Sequence, residues 1–118
     1  VGLMADLLPG TLVDVDLGVP PATKGHEQQK RRPCLVVAHL AKLGLLVVIP
    51  VSGNRPSHMA FTSVAIAASA TNGLAKDSYA LCHQVRSVSP ERLGTVRGRL
   101  SALDLERVRG ALKGMLQL

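Results

Sequence analysis

Two aliphatic runs, CLVVA at residues 34–38 and LLVVIPV at residues 45–51, decide the fold that this sequence predicts. Both are rich in β-branched residues, and the short link between them contains Gly44, a pattern typical of two neighbouring core strands. The longest sustained apolar stretch is residues 43–51, which is too short to cross a bilayer as a helix. The sequence therefore predicts a pair of buried β-strands at its centre.

Further strands are predicted on both sides of this pair, because short segments there have apolar alternation or β-branched residues. These segments are residues 11–17, 58–66, 79–88 and 94–100. Residues 18–31 are polar, rich in glycine and proline and without an apolar period, which predicts a long loop of the kind that usually has a function. Residues 67–76, with Asn72-Gly73, predict a turn or a mobile loop.

The clearest helix signal follows the last predicted strand. Ser101 is a predicted N-cap, Asp104 is its capping-box partner, and Leu100 with Leu105 forms a hydrophobic staple. An apolar stripe at helical spacing then continues to Met115 or Leu116. Several short strands and one terminal helix predict a mainly β fold with a C-terminal helix, either a small twisted barrel or a half-open sheet with the helix covering one end.

The amino-acid composition limits the class of molecule that the protein can bind. The chain has 118 residues with 14 Lys and Arg against 8 Asp and Glu, so its net charge of +6 favours a polyanion such as nucleic acid, although an acidic peptide would satisfy the same field. Its aromatic residues are one Phe and one Tyr, Phe61 and Tyr79, which excludes a surface of successive base-stacking platforms. Binding must then depend on charge and hydrogen bonds.

The cysteines and the first residues bear on organisation and compartment. Cys34 and Cys82 lie among apolar, strand-like residues, which predicts reduced, buried thiols in a cytoplasmic protein, with a disulfide as the alternative. Two cysteines at this spacing make no zinc site. Residues 1–8 lack the basic region of a signal peptide and are expected to be a flexible segment, in part a cloning remnant, ahead of a single domain at residues 9–118.

Four blocks follow one another along the chain. They are DVDL (14–17) with GHEQ (25–28) and KRRP (30–33), then IPVS (49–52), LCHQVRS (81–87) and GRLS (98–101). In this order they resemble the signature blocks of the MazF/PemK (also Kid) family of endoribonuclease toxins. The resemblance implies an SH3-like barrel shared with the CcdB toxins, a homodimer, sequence-specific cleavage of single-stranded RNA without metal ion or cofactor, arrest of translation and growth, and inhibition by a cognate antitoxin.

By this resemblance the active site is built on residues 25–33, and Arg32 and Ser52 are the catalytic pair, with Ser52 where the family commonly has threonine. Metal-free cleavage uses the 2′-hydroxyl of the RNA as nucleophile, so it needs a base, an acid and positive donors around the phosphate. The planar fork of Arg32 suits the phosphate, but a guanidinium is a poor acid or base. Without the resemblance, Arg32 would be a surface arginine before a strand and Ser52 a turn serine.

Three residues are candidates for the proton transfers: His26, Glu27 and His83. His26 lies where the family commonly has serine, and His83 where it commonly has an acidic residue. Histidine titrates in the useful range, although a surface or packing role is the simpler alternative for both. Glu27 could instead form an ion pair that organises the neighbouring cations.

A further set is predicted to bind RNA. Gln84 and Arg86 lie two apart on a predicted strand and so share a face, where the amide could read a base edge and the guanidinium could hold phosphate. The alternative is an exposed face of a basic protein. Arg97 and the cations of the final helix are interpreted as a solvent-exposed face, which could also extend the positively charged surface that attracts RNA. The RNA-binding candidates are Lys24, Lys30, Arg31, Asn54, Arg55, Gln84 and Arg86.

A non-enzymatic binder is the second functional class. A gyrase poison on the same fold is disfavoured because those toxins resemble one another in a tryptophan-bearing C-terminus and this chain has no Trp. A basic adaptor is a further alternative of this class. A homologue that keeps the fold but has lost cleavage is compatible with serine at position 52 and histidine at position 83. No membrane partner is expected, and the antitoxin is expected to lay an acidic, disordered segment over the cationic groove.

Overall fold

The structure is a computed structural model that describes residues 7–18, 30–55 and 60–118. Over these residues the chain forms seven strands, short 3-10 turns and one α-helix. The elements are β1 (Thr11–Asp16), β2 (Arg31–Leu40), β3 (Leu45–Ser52), β4 (Ser63–Ile66), β5 (Ser78–Leu81), β6 (Arg86–Val88), β7 (Leu93–Arg99) and α1 (Ala102–Leu116). No helix in these ranges is long and apolar enough to span a membrane.

The strands form one antiparallel sheet in the order β4-β5-β3-β2-β1-β7, and β6 pairs with β3 beyond the end of β5. The two aliphatic runs, residues 34–38 and 45–51, lie in the central strands β2 and β3. Among the described residues β4 does not pair with β7, so the sheet is half-open. The predicted fold class, mainly β with a C-terminal helix, is confirmed.

Side-chain alternation divides the core into two layers, one on each face of the sheet. The helix-side core contains Leu35 of β2, Ile49 and Val51 of β3, and Val108 of α1. The far core, on the other face, contains Cys34, Val36, Leu46, Val48 and Val88 together with side chains of β1. Each central strand is therefore covered on both faces, which explains its nearly continuous apolar sequence.

The predicted strand at residues 79–88 is wrong in its middle. A 3-10 turn, Cys82–Gln84, separates β5 from β6. β5 pairs with Val51 and Ser52, whereas β6 pairs with residues 46–48, and Pro50 between them has no N–H to donate to a ladder. Gln84 therefore lies in a turn and Arg86 in a strand, so the two do not share one strand face as predicted.

One other strand boundary differs from the sequence prediction. Ala60–Thr62 is a 3-10 turn and β4 begins at Ser63, so the predicted strand at residues 58–66 is shorter; residues 58 and 59 lie outside the described residues. Leu7, which precedes the predicted domain at residues 9–118, is fully buried in the far core. Its burial stabilises the fold, because removing an apolar side chain from water is favourable.

The turns that frame the sheet have identifiable polar contacts. The Ser101 hydroxyl accepts a hydrogen bond from the Asp104 N–H at 3.1 Å, which confirms the predicted N-cap. The buried Asn72 accepts from the N–H groups of Ser69 and Leu74, both at 3.0 Å, and so organises residues 67–76 as a turn. The adjacent Gly73 has φ +69°, and a Cβ there would meet the backbone of Arg97, so glycine is required.

Candidate active site

Arg32 and Ser52 lie on the two central strands at the same end of the sheet. The register of β2 and β3 pairs Cys34 with Pro50 and Val36 with Val48. If the same register continues for two more residues, towards the start of β2 and the end of β3, Arg32 stands opposite Ser52. Residues directly opposite each other in an antiparallel pair project from the same face of the sheet. That face carries the far core, because Arg32 is two residues before Cys34.

Arg86 lies on the same face as this pair. The ladder of β3 and β6 pairs Arg86 with Val48, and Arg86 is two residues before Val88 of the far core. Its guanidinium is close enough to affect the ionisation of the Cys34 thiol, as does that of Arg32. The two arginines therefore converge on the region around Cys34.

Cys34 itself is not a reactive group. Burial raises the pKa of its thiol to about 12, and the positive charges of Arg86 and Arg32 offset this only in part, while Asp14 raises it further. Burial also raises the pKa of Cys82, which its own backbone lowers slightly by hydrogen bonding. Both cysteines are buried and free, as predicted. Neutral, buried thiols are neither nucleophiles nor bases near neutral pH.

Ser52 is held in a defined position. Its side chain is 8% exposed, and its Oγ accepts a hydrogen bond from the N–H of Asn54 at 3.1 Å. This local turn uses the hydroxyl as an acceptor and leaves its own proton for a second partner. Asn54 and Arg55 follow as exposed residues beside it.

Lys30 and Arg31 mark the point where the long loop enters β2. Lys30 is exposed with φ +67°; its N–H donates to the Gly18 carbonyl at 2.6 Å, and its carbonyl accepts from the Leu17 N–H at 3.0 Å. The guanidinium of Arg31 lies where a Cβ on Gly94 would stand. The backbone pairing of β1 and β2 therefore extends to both ends of the loop. Lys24, His26 and Glu27 lie outside the described residues.

A cavity of about 390 Å³ opens on the helix-side face at the end of β2 and β3, where Val51 forms part of its wall. We call it the cationic cavity because its lining includes Lys30, Arg31, Arg32, Lys76 and Arg97. Lys76 is not among the residues predicted from the sequence to bind RNA, and Arg97 is exposed, as predicted for a solvated face. Arg97 also donates from Nε to Asp14 Oδ1 at 2.6 Å. Both positions depend on contacts between distant segments, for which the sequence carries no local signal.

His83 lies in the 3-10 turn after β5. Its Nδ1 shares a hydrogen bond of 3.0 Å with the hydroxyl of Thr62, which is buried in another 3-10 turn. Gln84 follows, half-buried, in the same turn as His83. Among the described residues no group of three or more His, Cys, Asp or Glu side chains could hold a metal ion.

Comparison with known proteins identifies the family. The family model described as PemK-like, MazF-like toxin of type II toxin-antitoxin system matches residues 9–116. The chain belongs to this family. The resemblance carried by the four sequence blocks is thereby confirmed, and the PemK/MazF match spans nearly the whole chain.

Individual relatives agree with the family assignment. The chain is 34% identical over 117 residues to the protein named Endoribonuclease MazF9 of Mycobacterium tuberculosis, a match that covers 92% of this chain and 95% of that protein. The crystal structure of MazF from Deinococcus radiodurans superposes with a TM-score of 0.74 at 28% identity, covering 93% of this chain and 96% of that one.

A third comparison shows the fold alone. An endoribonuclease from a mycobacterial species, solved in complex with its cognate antitoxin, has a TM-score of 0.72 at 21% identity. The match covers 94% of this chain and 95% of that chain. The chain thus has the same overall fold as that solved endoribonuclease.

Proposed function

We propose that this PemK/MazF-family protein is an endoribonuclease that cuts single-stranded RNA at short specific sequences, without metal ion or cofactor, and thereby stops translation and growth. The observation that carries the proposal is the common face of Arg32 and Ser52, opposite each other on β2 and β3. The name of the M. tuberculosis relative, an endoribonuclease, supports it. Since the proposed substrate is mRNA, the protein acts in the cytoplasm.

The proposed reaction is an internal transesterification. The 2′-oxygen of the substrate attacks the adjacent phosphorus, the bond from phosphorus to the 5′-oxygen breaks, and the products carry a 2′,3′-cyclic phosphate and a 5′-hydroxyl. Negative charge increases on the non-bridging oxygens as the phosphorus becomes five-coordinate in the transition state. Arg32 and Arg86 stabilise that charge with their planar, permanently protonated forks, and the Ser52 hydroxyl donates to the phosphate or to the leaving oxygen.

The proton transfers fall to other groups, because a guanidinium keeps its proton and the thiol of Cys34 is neutral and buried. His26, Glu27 and His83 are the candidates for accepting the 2′-hydroxyl proton and for protonating the leaving oxygen. Of these, His83 is tied to Thr62, which favours a positioning role for it. We therefore rank His26 and Glu27 ahead of His83.

The remaining polar residues of the site are proposed to hold the strand. Lys30 and Arg31 at the start of β2, with Asn54 and Arg55 after β3, are exposed and would contact phosphates or bases. Lys24 and Gln84 belong to the same proposed set. We also propose a homodimer and a cognate antitoxin whose acidic, disordered segment covers these cations.

The proposal is tested by incubating the purified protein with mixed-sequence RNA in excess chelator, beside Arg32→Ala. Wild-type protein should give discrete fragments and leave DNA of matched sequence intact, because DNA lacks the 2′-hydroxyl. Arg109→Ala is the matched control: it removes the same charge from the surface of α1, where, among the described residues, Arg109 makes only a long ion pair of 3.7 Å with Glu106. Loss of cutting in Arg32→Ala but not in the control supports the proposal. RNA that is bound tightly but left intact by the wild type would refute the enzyme and leave an RNA-binding homologue.

A further inference from the structure

The cationic cavity contains two cations, Lys76 and Arg97, that the proposed reaction at Arg32 and Ser52 does not use. Lys76 comes from the segment between β4 and β5, and Arg97 from β7. Both approach the ends of β2 and β3 on the helix-side face, the face opposite to the one that carries Ser52. The sheet therefore presents positive charge on both of its faces at this end.

Arg97 is held in place by a carboxylate. Its Nε donates to Asp14 Oδ1 at 2.6 Å, and the two side chains are 34% and 15% exposed. A guanidinium fixed through Nε still has its two terminal nitrogens to offer to an anion. This ion pair therefore positions a donor fork at the cavity before any ligand arrives.

Two glycines make room for the other cations. The side chain of Lys76 lies where a Cβ on Gly53 would stand, and the guanidinium of Arg31 occupies the same position relative to Gly94. Gly53 follows Ser52 directly, so the Lys76 side chain passes over the backbone next to the candidate catalytic serine. Any larger residue at either glycine would displace a cation from the cavity.

We propose that the cationic cavity is a phosphate subsite that holds an RNA phosphodiester other than the scissile one, with Lys76 and Arg97 as its ligands. The inference rests on the proposed function for the identity of the anion. An RNA phosphate is favoured over an acidic peptide because the cavity lies at the same end of β2 and β3 as Arg32 and Ser52, so an RNA strand bound for cleavage passes it. One strand that crosses the end of β2 and β3 would then place its scissile phosphate at Arg32 and Ser52 and a neighbouring phosphate in the cavity.

The test measures binding rather than cleavage, so it is independent of the reaction. The probe is a mixed-sequence 2′-O-methyl RNA, which has no 2′-hydroxyl to attack and cannot be cut. Lys76→Ala and Arg97→Ala should each raise its Kd by roughly fivefold, and each should reduce the slope of log Kd against log salt by about 0.7, the value for one phosphate contact on a single strand. Arg109→Ala should change neither quantity.

Arg97→Ala also leaves Asp14 without its ion-pair partner, so this variant could be destabilised. A lower Tm than that of the wild type would show this. In that case Lys76→Ala, which breaks no ion pair among the described contacts, decides the question. If both variants match Arg109→Ala in Kd and slope, the subsite does not exist. If they lose affinity only for a polyglutamate peptide, the cavity binds an acidic partner and the inference is overturned. If the slopes change but the wild type never cuts RNA, the subsite stands and the proposed function fails.

Discussion

Arg32 and Ser52 lie opposite each other on β2 and β3, two residues beyond the pair formed by Cys34 and Pro50. Their side chains project from the same face, and Arg86 projects from that face on β6. A permanent cation and a hydroxyl group held in this way can bind one phosphate together.

Replacing Arg32 tests whether charge or geometry matters. Arg32→Ala should lower kcat by about 10²- to 10³-fold, the usual cost of removing one donor that stabilises developing charge. Arg32→Lys keeps the charge but loses the planar fork, so it should recover only part of the rate. Single-turnover cleavage in chelator measures both. Equal rates for the lysine variant and the wild type would contradict a role for bidentate binding.

Changes at Ser52 test the hydroxyl group. Ser52→Ala should lower kcat by at least about tenfold, because the phosphate or the leaving oxygen loses a donor. Ser52→Thr should retain activity or raise it, since β-branching restricts the χ1 rotamer and keeps the hydroxyl. The comparison requires that both variants melt like the wild type, because Ser52 also caps the Asn54 N–H. Full activity in Ser52→Ala would remove Ser52 from the mechanism.

The Cys34 thiol should make stability depend on alkaline pH. Its pKa rises from 9.0 in the unfolded chain to about 12 in the folded protein, so the neutral form is favoured by folding. The stability contribution is therefore complete below about pH 9 and is lost as the pH rises from about 9 towards about 12. Cys34→Val, which has similar volume and no thiol, is the control.

The measurement for Cys34 is urea unfolding of both proteins at about pH 8 and about pH 10.5. Relative to Cys34→Val, the wild type should lose about 2 kcal/mol of unfolding free energy between these values. All other ionisable groups are present in both proteins, so their contributions cancel in the difference. A difference that does not change with pH would mean that the thiol ionises as easily in the folded protein as in the unfolded chain.

His83 should act through Thr62 rather than on the substrate. Removing the hydroxyl in Thr62→Val, a close steric match, should cost about 1 kcal/mol of unfolding free energy. His83→Gln should leave the shape of the pH-rate profile unchanged, because the ring is held by the neighbouring turn. A profile that loses one limb in His83→Gln would make this histidine a general acid or base.

Much of this fold could be predicted from local pattern. Local sequence signals predict three features: the aliphatic strands β2 and β3, the alternating strand β1, and the helix N-cap at Ser101. The structure contains all of them. Arg32 and Ser52 could be proposed because each lies inside a recognisable block. The shared face of the two residues follows only from strand register, which the structure supplies.

The rest depended on contacts between distant segments. The break between β5 and β6 arises because both pair with β3 on either side of Pro50, and no residue of the break itself signals it. Lys76 lies over Gly53, and Arg97 pairs with Asp14 across two strands. The spacing of residues in the sequence predicts neither of these two contacts, so the cationic cavity could not be predicted.

The chemistry of the cut ends is the most direct test of the central claim. An RNA with one mapped cleavage site is incubated with the protein in excess chelator, beside the same RNA carrying a single 2′-deoxynucleotide at the position that supplies the attacking hydroxyl. The account predicts a 2′,3′-cyclic phosphate and a 5′-hydroxyl from the first RNA and no cut at that site in the second. Cleavage of the deoxy substrate, or ends with a 3′-hydroxyl and a 5′-phosphate, would contradict it.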